Sequence, residues 1–216
     1  MLALDLAGVN TVVLLGAHPD DIEIAAGGTL LTLAAANPGL TVHYVLFTGR
    51  PDRRAEAQAA AAAFLPGAKI TFSLHALPDG RLPAHWGEAK EIMEEAARTV
   101  TPDLVLSPSP HDAHQDHRTV AGLVTTAFRD ALVLRYEIPK WDGDLGRPNL
   151  YLPLDEATAR RKVELLHACY PSQHGRDWWD DEVFLGLARM RGMECRSRYA
   201  EAFQCDKAVL RLTAAT

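Results

Sequence analysis

Residues 11–21 have the sequence Thr-Val-Val-Leu-Leu-Gly-Ala-His-Pro-Asp-Asp, an apolar run that ends in one imidazole and two adjacent carboxylates. A continuous apolar run of this length is typical of a strand covered on both faces, as in a parallel sheet. Residues 22–36, which follow, are rich in Ala and Leu and predict a helix. The stretch therefore predicts the first strand and helix of an α/β fold, with polar side chains where the strand ends.

The same alternation continues along the chain. Further strands are predicted at residues 41–48, 69–74, 103–107, 132–136 and 150–152. Further helices are predicted at residues 52–64, 86–100, 117–128 and 156–169, and within 177–192. This order predicts a single Rossmann-like three-layer α/β domain over residues 1–216, with a mostly parallel sheet. Because ligands bind beyond the carboxyl ends of such strands, we expect the functional site at that edge.

Composition narrows the class of protein. With 216 residues, 48% of them hydrophobic, the chain can fill one substantial core. A net charge of −6 provides no basic stripe to neutralise phosphates, which argues against a nucleic-acid partner. Cys169, Cys195 and Cys205 lack CxxC spacing and predict free thiols in a reducing compartment. Without an apolar stretch of about 18 residues or a basic leader, we expect a cytoplasmic protein that does not insert into membranes.

A second polar cluster, residues 111–117, has the sequence His-Asp-Ala-His-Gln-Asp-His and follows a later apolar run. Two such clusters at the ends of two parallel strands can converge on one ion. His114 and His117 would share a face if this segment is one helical turn. The set of His18, Asp21 and His117 would provide two imidazoles and one carboxylate, which with an open position for water is typical of catalytic zinc. The same set also accepts iron or cobalt.

Asp20 lies beside a predicted ligand but need not be one itself. A metal lowers the pKa of its bound water to about 7, and a carboxylate within hydrogen-bond reach can then take the proton. The position of Asp20 therefore predicts a general base.

Two motifs resemble those of the PIG-L/LmbE family of zinc-dependent sugar deacetylases. The first is Ala-His-Pro-Asp-Asp-x-Glu-x-x-x-Gly-Gly over residues 17–28, and the second is Ser-Pro-x-x-x-His-x-Asp-His over residues 109–117. Shorter similar segments are Arg-x-x-Glu at 53–56, Pro-Asp-Gly at 78–80, Tyr-x-Ser-Gln at 170–173 and Ala-Glu-x-Phe at 200–203. Gln115 stands where many members have proline, at a position that carries no family role.

The resemblance implies roles for the matching residues. His18, Asp21 and His117 match the zinc ligands of the family. Asp20 matches its general base, which also serves as the acid when the amine leaves. His114 matches the histidine that stabilises the oxyanion, as a charged donor or through its N–H.

Other residues have secondary roles in this interpretation. Asp116 would orient a histidine, and Arg53 would contribute to site electrostatics or bind substrate. The pair Gly27-Gly28 lacks G-x-G-x-x-G spacing and predicts close helix packing. The pair Trp178-Trp179 predicts core or interface packing in preference to a sugar-stacking surface. Loops near residues 78–86, 140–149 and 172–181 are expected to shape the pocket.

The resemblance implies a hydrolase that removes the N-acetyl group from an N-acetylglucosaminyl conjugate or oligosaccharide. It implies one zinc ion per chain, a small acetylated amino sugar as substrate, and a trimer or hexamer. One alternative is a metal-dependent amidase acting on another small amide or thiol conjugate. A non-catalytic binding module stabilised by metal is a second alternative. A third, a phosphohydrolase with two metals, needs a second ligand set that the sequence does not clearly offer.

Overall fold

The fold was taken from a computed structural model that describes residues 3–6 and 8–210. The predicted single domain over residues 1–216 also includes residues 1, 2, 7 and 211–216, which lie outside the described part. The strands are β1 (Thr11–Gly16), β2 (Thr41–Thr48), β3 (Lys69–Leu77), β4 (Leu104–Pro108), β5 (Leu132–Tyr136), β6 (Leu150–Leu154) and β7 (Tyr199–Cys205). The α-helices are α1 (Asp21–Ala36), α2 (Pro51–Phe64), α3 (Trp86–Thr99), α4 (Gln115–Ala127), α5 (Glu156–Cys169) and α6 (Asp181–Cys195).

The strands form one sheet in the order β3-β2-β1-β4-β5-β7-β6. Neighbours from β3 to β5 are parallel, whereas β7 runs antiparallel to both β5 and β6. The predicted α/β class with a mostly parallel sheet is therefore confirmed. From β1 the chain builds β2 and β3 on one side and then returns to build β4 on the other. This reversal between β1 and β4 is where doubly wound sheets bind ligands.

Side chains of β1 alternate between two hydrophobic cores. Val12 and Leu14 pack with residues of α1, α2, α5 and α6, whereas Val13 and Leu15 pack with α3 and α4. Successive residues of a strand point to opposite faces, so a run of six apolar or small residues serves both cores. The result is the three-layer arrangement that the sequence predicts.

Gly27 and Gly28 lie beside a break in α1, where Ala26 has a non-helical φ of −132°. A Cβ on Gly27 would lie 2.6 Å from the Phe64 ring, and one on Gly28 would lie 2.4 Å from a Leu154 methyl. No Cβ fits at these distances. The predicted packing role of the two glycines is confirmed.

Glu201, on β7, accepts hydrogen bonds from the backbone N–H groups freed by the break in α1. Its oxygens lie 2.8 Å from the nitrogen of Gly28 and 2.6 Å from that of Thr29, and Lys162 of α5 pairs with it at 2.6 Å. All four residues are buried. The Ala-Glu-x-Phe segment thus joins β7, α1 and α5.

The sequence did not predict β7, because a segment centred on a glutamate lacks the apolar run of a buried strand. Helix α4 begins at Gln115, two residues before the predicted start. The three cysteines are free and half-buried. Within the described residues, no helix combines the length and apolar character needed to cross a bilayer.

Candidate metal centre and active site

His18 and Asp20 lie in the short turn between β1 and α1, and Asp21 is the first residue of α1. Asp20 has a φ of +112°, a left-handed conformation that is rare for residues other than glycine. Gly49, at a φ of +129°, packs against this turn, and a Cβ there would lie 2.7 Å from the ring of Pro19. Strained backbone of this kind is held in place by its surroundings and concentrates at functional sites.

His18, Asp21 and His117 bring ligand atoms to one point. Nδ1 of His18 lies 3.1 Å from Nε2 of His117. The Asp21 oxygens lie 3.6 Å from the first nitrogen and 3.3 Å from the second. Ligand atoms about 2.0–2.1 Å from a tetrahedral zinc ion lie roughly 3.3 Å from one another. The spacings within this set are close to those of a zinc site, so these three side chains could hold a metal ion, with one Asp21 oxygen near each histidine.

The charges around these ligands favour a cation. Burial lowers the pKa of His117, but Asp21 and Asp112 outweigh it and raise that pKa to about 9. Burial likewise acts against a charged His18, and Asp21 and Asp116 raise its pKa well above the ordinary value. Burial would raise the pKa of Asp21, yet the two imidazoles lower it well below the usual range. A proton or a metal ion can supply the positive charge that this centre requires.

Asp20 lies beside this triad in a different environment. Burial raises its pKa to about 6, although the guanidinium of Arg53 acts to lower it. Nη2 of Arg53 lies 2.8 Å from Asp20 Oδ2 and also donates to the carbonyl of Pro19. A carboxylate that titrates close to neutral pH suits proton transfer.

Arg53 donates to other protein groups as well. Its Nη1 lies 2.5 Å from Oγ of Ser172 and 3.2 Å from Glu56, and its guanidinium lies 5.8 Å from the centre of the Tyr170 ring. These contacts engage the side chain within the protein. They favour the electrostatic role over direct substrate binding, and they explain the Arg-x-x-Glu and Tyr-x-Ser-Gln segments.

His114 caps α4 from an extended conformation instead of lying in a helical turn with His117. The two rings nevertheless stack, with centroids 4.6 Å apart. Nδ1 of His114 accepts the backbone N–H of Asp116 at 3.2 Å, which places the ring proton on Nε2. Burial and the charges of His18 and His117 lower the pKa of His114. Both effects favour the neutral ring, whose Nε2–H is then the donor.

Asp116 and Asp79 lie at the far nitrogen of His18, at 3.1 and 3.2 Å from Nε2. These three residues form a second group close enough to hold an ion, as do His18, His114 and His117. Both oxygens of Asp116 already accept backbone N–H groups, of Gly80 and Leu82. Asp116 is therefore better suited to orienting the ring of His18 than to binding a second metal ion.

Asp112, for which the sequence predicted no role, contacts His114 and His117. Its Oδ1 accepts the backbone N–H of His114 at 2.7 Å, and its Oδ2 lies 2.9 Å from Nδ1 of His117. That oxygen lies outside the direction of the ring N–H, so the second contact is an ion pair, not an aligned hydrogen bond. The position of Asp112 inside the polar cluster at residues 111–117 is the one feature of the sequence that could have indicated this role.

Two other predictions concern aromatic residues and cavities. Trp179 is buried in the core, and Trp178 is half-buried against it, which agrees with the packing role. A cavity of about 30 Å³ is lined by Asp112, Ser109, Lys140 and Phe203, among others, and by no histidine. It has room for about one or two waters.

Comparison with known proteins identifies a family that this chain matches. The family described as PIG-L, GlcNAc-PI de-N-acetylase, matches residues 13–128, more than half of the chain. The matched range contains His18, Asp20, Asp21, His114 and His117.

Solved structures share the fold at low sequence identity. The N,N'-diacetylchitobiose deacetylase of Pyrococcus horikoshii is 22% identical, with a TM-score of 0.73 over 91% of this chain and 84% of that one. A conserved protein of Thermus thermophilus is 22% identical, with a TM-score of 0.74 over 96% and 99%. The 4-carboxy-2-hydroxymuconate hydratase GalB of Pseudomonas putida is 20% identical, with a TM-score of 0.75 over 95% and 100%. By its family match and its fold, the chain belongs to the PIG-L family.

Proposed function

We propose that this protein is a zinc-dependent hydrolase that removes the acetyl group from an N-acetylglucosaminyl conjugate, releasing acetate and a free amine. The observation that carries the proposal is the placement of Asp20. This carboxylate has a pKa raised to about 6 by burial and lies directly beside the His18, Asp21 and His117 triad. A base next to a metal-ligand set is the arrangement used for metal-dependent hydrolysis of an amide.

Each residue has a distinct task in the proposed reaction. Zinc bound by the triad would polarise the acetamide carbonyl and acidify water. Asp20 takes a proton from the attacking water, while Arg53 holds the carboxylate in place. Nε2–H of His114 donates to the oxygen that becomes negative during attack. Asp20 then returns its proton to the nitrogen, so that the amine leaves and acetate remains.

The known relatives support this class of reaction. The family is described as a de-N-acetylase, and structural neighbours include a diacetylchitobiose deacetylase and deacetylases of the teicoplanin and A40926 antibiotics. A hydratase has the same fold, so the fold alone does not define the reaction. The proposal therefore rests on Asp20, His114 and the triad.

The test is acetate release from a panel of N-acetylglucosamine conjugates by zinc-loaded protein, with Asp20→Asn as the inactive control. We expect acetate and amine in equal amounts from at least one conjugate, and the loss of both in the variant. Other small amides and thiol conjugates test the amidase alternative. Hydration of an unsaturated acid without acetate release from any amide would contradict the proposal.

Metal analysis is a second test. We expect one zinc ion per chain, lost on substitution of His18 or His117. Two ions per chain would favour the phosphohydrolase alternative, which needs the second group of His18, Asp79 and Asp116. The cytoplasmic location and the trimer or hexamer remain predictions, to be checked by fractionation and light scattering.

A further inference from the structure

The 137–149 segment links β5 to β6 and lies outside the two sequence motifs that contain the histidines. It nevertheless contacts the residues next to His114. It begins beside the end of β4, where Pro108 pairs with Tyr136. Lys140, in this segment, is largely buried, with 11% of its side chain exposed. Its ammonium group lies 3.0 Å from Asp112 Oδ2 and 2.6 Å from Asp144 Oδ2. Lys140 therefore bridges two carboxylates next to the proposed site.

Asp112 transmits this contact to both histidines. One carboxylate oxygen holds the backbone of His114, and the other lies against both the ring of His117 and the ammonium of Lys140. A shift of Asp112 would thus move an oxyanion donor and a metal ligand together. Small displacements of such groups are costly in catalytic sites.

Asp144 fastens the 137–149 segment to the same place. Its Oδ2 accepts the backbone N–H of Ala113 at 2.5 Å, and both of its oxygens lie within 2.8 Å of Lys140. Arg118, from α4, donates to the carbonyls of Asp112 and Ala113. Residues 112–114 are therefore held by charged groups of both the 137–149 segment and α4.

The positive charge of Lys140 lies between the carboxylates of Asp112 and Asp144. Asp112 and Asp144 are both nearly enclosed, with 3% and 12% of their side chains exposed. Removing one partner of a buried ion pair leaves an uncompensated charge, which is strongly destabilising locally. Without Lys140, the two carboxylates would repel each other and the 137–149 segment would separate from residues 112–114.

We propose that Lys140 is a positioning residue of the catalytic site, acting through Asp112 on His114 and His117. It holds both histidines at the spacing that metal binding and oxyanion stabilisation require. This inference rests on the proposed function, because it assigns those two tasks to the histidines.

The test measures zinc affinity by chelator competition, which does not depend on any substrate. We expect Lys140→Met to weaken zinc binding by about 10- to 100-fold, the usual effect of losing a group that orients a ligand. Lys140→Arg should restore most of the affinity, because it keeps the cation. Lys90→Met is the matched control, since Lys90 is also partly buried and pairs with a carboxylate, Glu94, within its own helix α3. Wild-type zinc affinity in Lys140→Met would overturn the proposal.

A double-mutant cycle tests whether the effect passes through Asp112. In an Asp112→Asn background, we expect Lys140→Met to cause little further loss of zinc affinity, because its route is already broken. Full additivity would contradict the route. If Lys140→Met does not fold, Asp144→Asn should weaken zinc binding in the same direction by a smaller factor, and an unchanged affinity there would also overturn the proposal.

Turnover provides the remaining readout. On a conjugate that the wild type deacetylates, Lys140→Met should lower kcat and leave KM nearly unchanged, since Lys140 acts on the histidines and not on the substrate. Should the wild type release no acetate, the proposed function fails while the zinc measurements still decide the role of Lys140.

Discussion

Carboxylates are buried in two regions of this molecule. The site carboxylates, Asp20, Asp21, Asp112 and Asp116, lie beyond the carboxyl ends of β1 and β4, while the core carboxylates, Glu23 of α1 and Glu201 of β7, are buried between α1 and its neighbours. Asp21 and Asp116 face imidazoles, and Asp20 faces the guanidinium of Arg53. Asp112 additionally faces Lys140.

The core carboxylates are surrounded by groups that hold elements together. Glu23 accepts from the hydroxyls of Tyr44 and Tyr170, at 2.9 and 2.7 Å, and Glu201 joins α1 to Lys162. None of these partners is a metal ligand in the proposed site. Burial alone therefore does not identify a functional carboxylate, whereas the groups that it contacts do. Substitution of a site carboxylate should reduce activity, and substitution of a core carboxylate should reduce stability.

Replacing Asp20 tests the site carboxylates and should have the largest effect. We expect Asp20→Asn to reduce kcat by about 10²- to 10⁴-fold, because the amide cannot accept the proton from water. Zinc affinity should stay close to the wild-type value, since Asp20 is not among the proposed ligands. Steady-state acetate release and zinc titration measure the two quantities. Wild-type turnover in a zinc-loaded variant would exclude Asp20 as the base.

Replacing Glu201 tests the core carboxylates. We expect Glu201→Gln to lower the free energy of unfolding by about 3–5 kcal/mol, because Lys162 stays buried without its counter-charge. Urea unfolding measures the loss, and Glu164→Gln is the control, since Glu164 makes an exposed pair with Arg161 and should change stability by less than about 1 kcal/mol. Equal effects of the two substitutions would contradict the comparison.

The pH dependence of stability should identify Glu23. Burial raises the pKa of Glu23 from 4.5 to about 7, despite the two tyrosine hydroxyls that act to lower it. A raised carboxyl pKa means that the folded state retains its proton longer, so this contribution is complete below pH 4.5 and is lost as pH rises through 7. Relative to Glu23→Gln, the metal-free wild type should lose about 3 kcal/mol over that range.

Unfolding both proteins in denaturant at a series of pH values, in the presence of chelator, measures this difference. Apart from Asp20, whose charge acts on Glu23, the remaining titrating groups contribute alike to both proteins and cancel in the comparison. A difference that stays constant from about pH 4 to about pH 8 would show that Glu23 has an ordinary pKa.

The smallest effect is expected for one of the hydroxyls that bind Glu23. Tyr44→Phe keeps the ring, which packs 5.6 Å from that of Phe72, and removes only the hydrogen bond. We expect a loss of about 1–2 kcal/mol in the free energy of unfolding and unchanged kcat. Tyr151→Phe, at a partly exposed position, is the control. A large loss of activity in Tyr44→Phe would link the core carboxylates to the chemistry and weaken the comparison.

Much of the candidate site was predictable because its signals are local. The residues from His18 to Asp21 follow an apolar strand directly, and His114 and His117 stand in a second polar cluster at another strand end. Strand ends in a parallel sheet share an edge, so the meeting of the two clusters follows from the order of elements. The single helical turn considered for His114 and His117 does not form, because His114 caps α4 from an extended conformation.

The sequence by itself determined the α/β class, the family and the residue types at the site, because apolar runs, helix formers and short motifs are properties of neighbouring residues. Only the tertiary structure decided that β7 enters the sheet between β5 and β6, that Glu201 caps the broken α1, and that Lys140 bridges Asp112 and Asp144. The physical reason is the same in each case. A buried charge must find its partner wherever the chain brings one, and no local pattern records a partner tens of residues away.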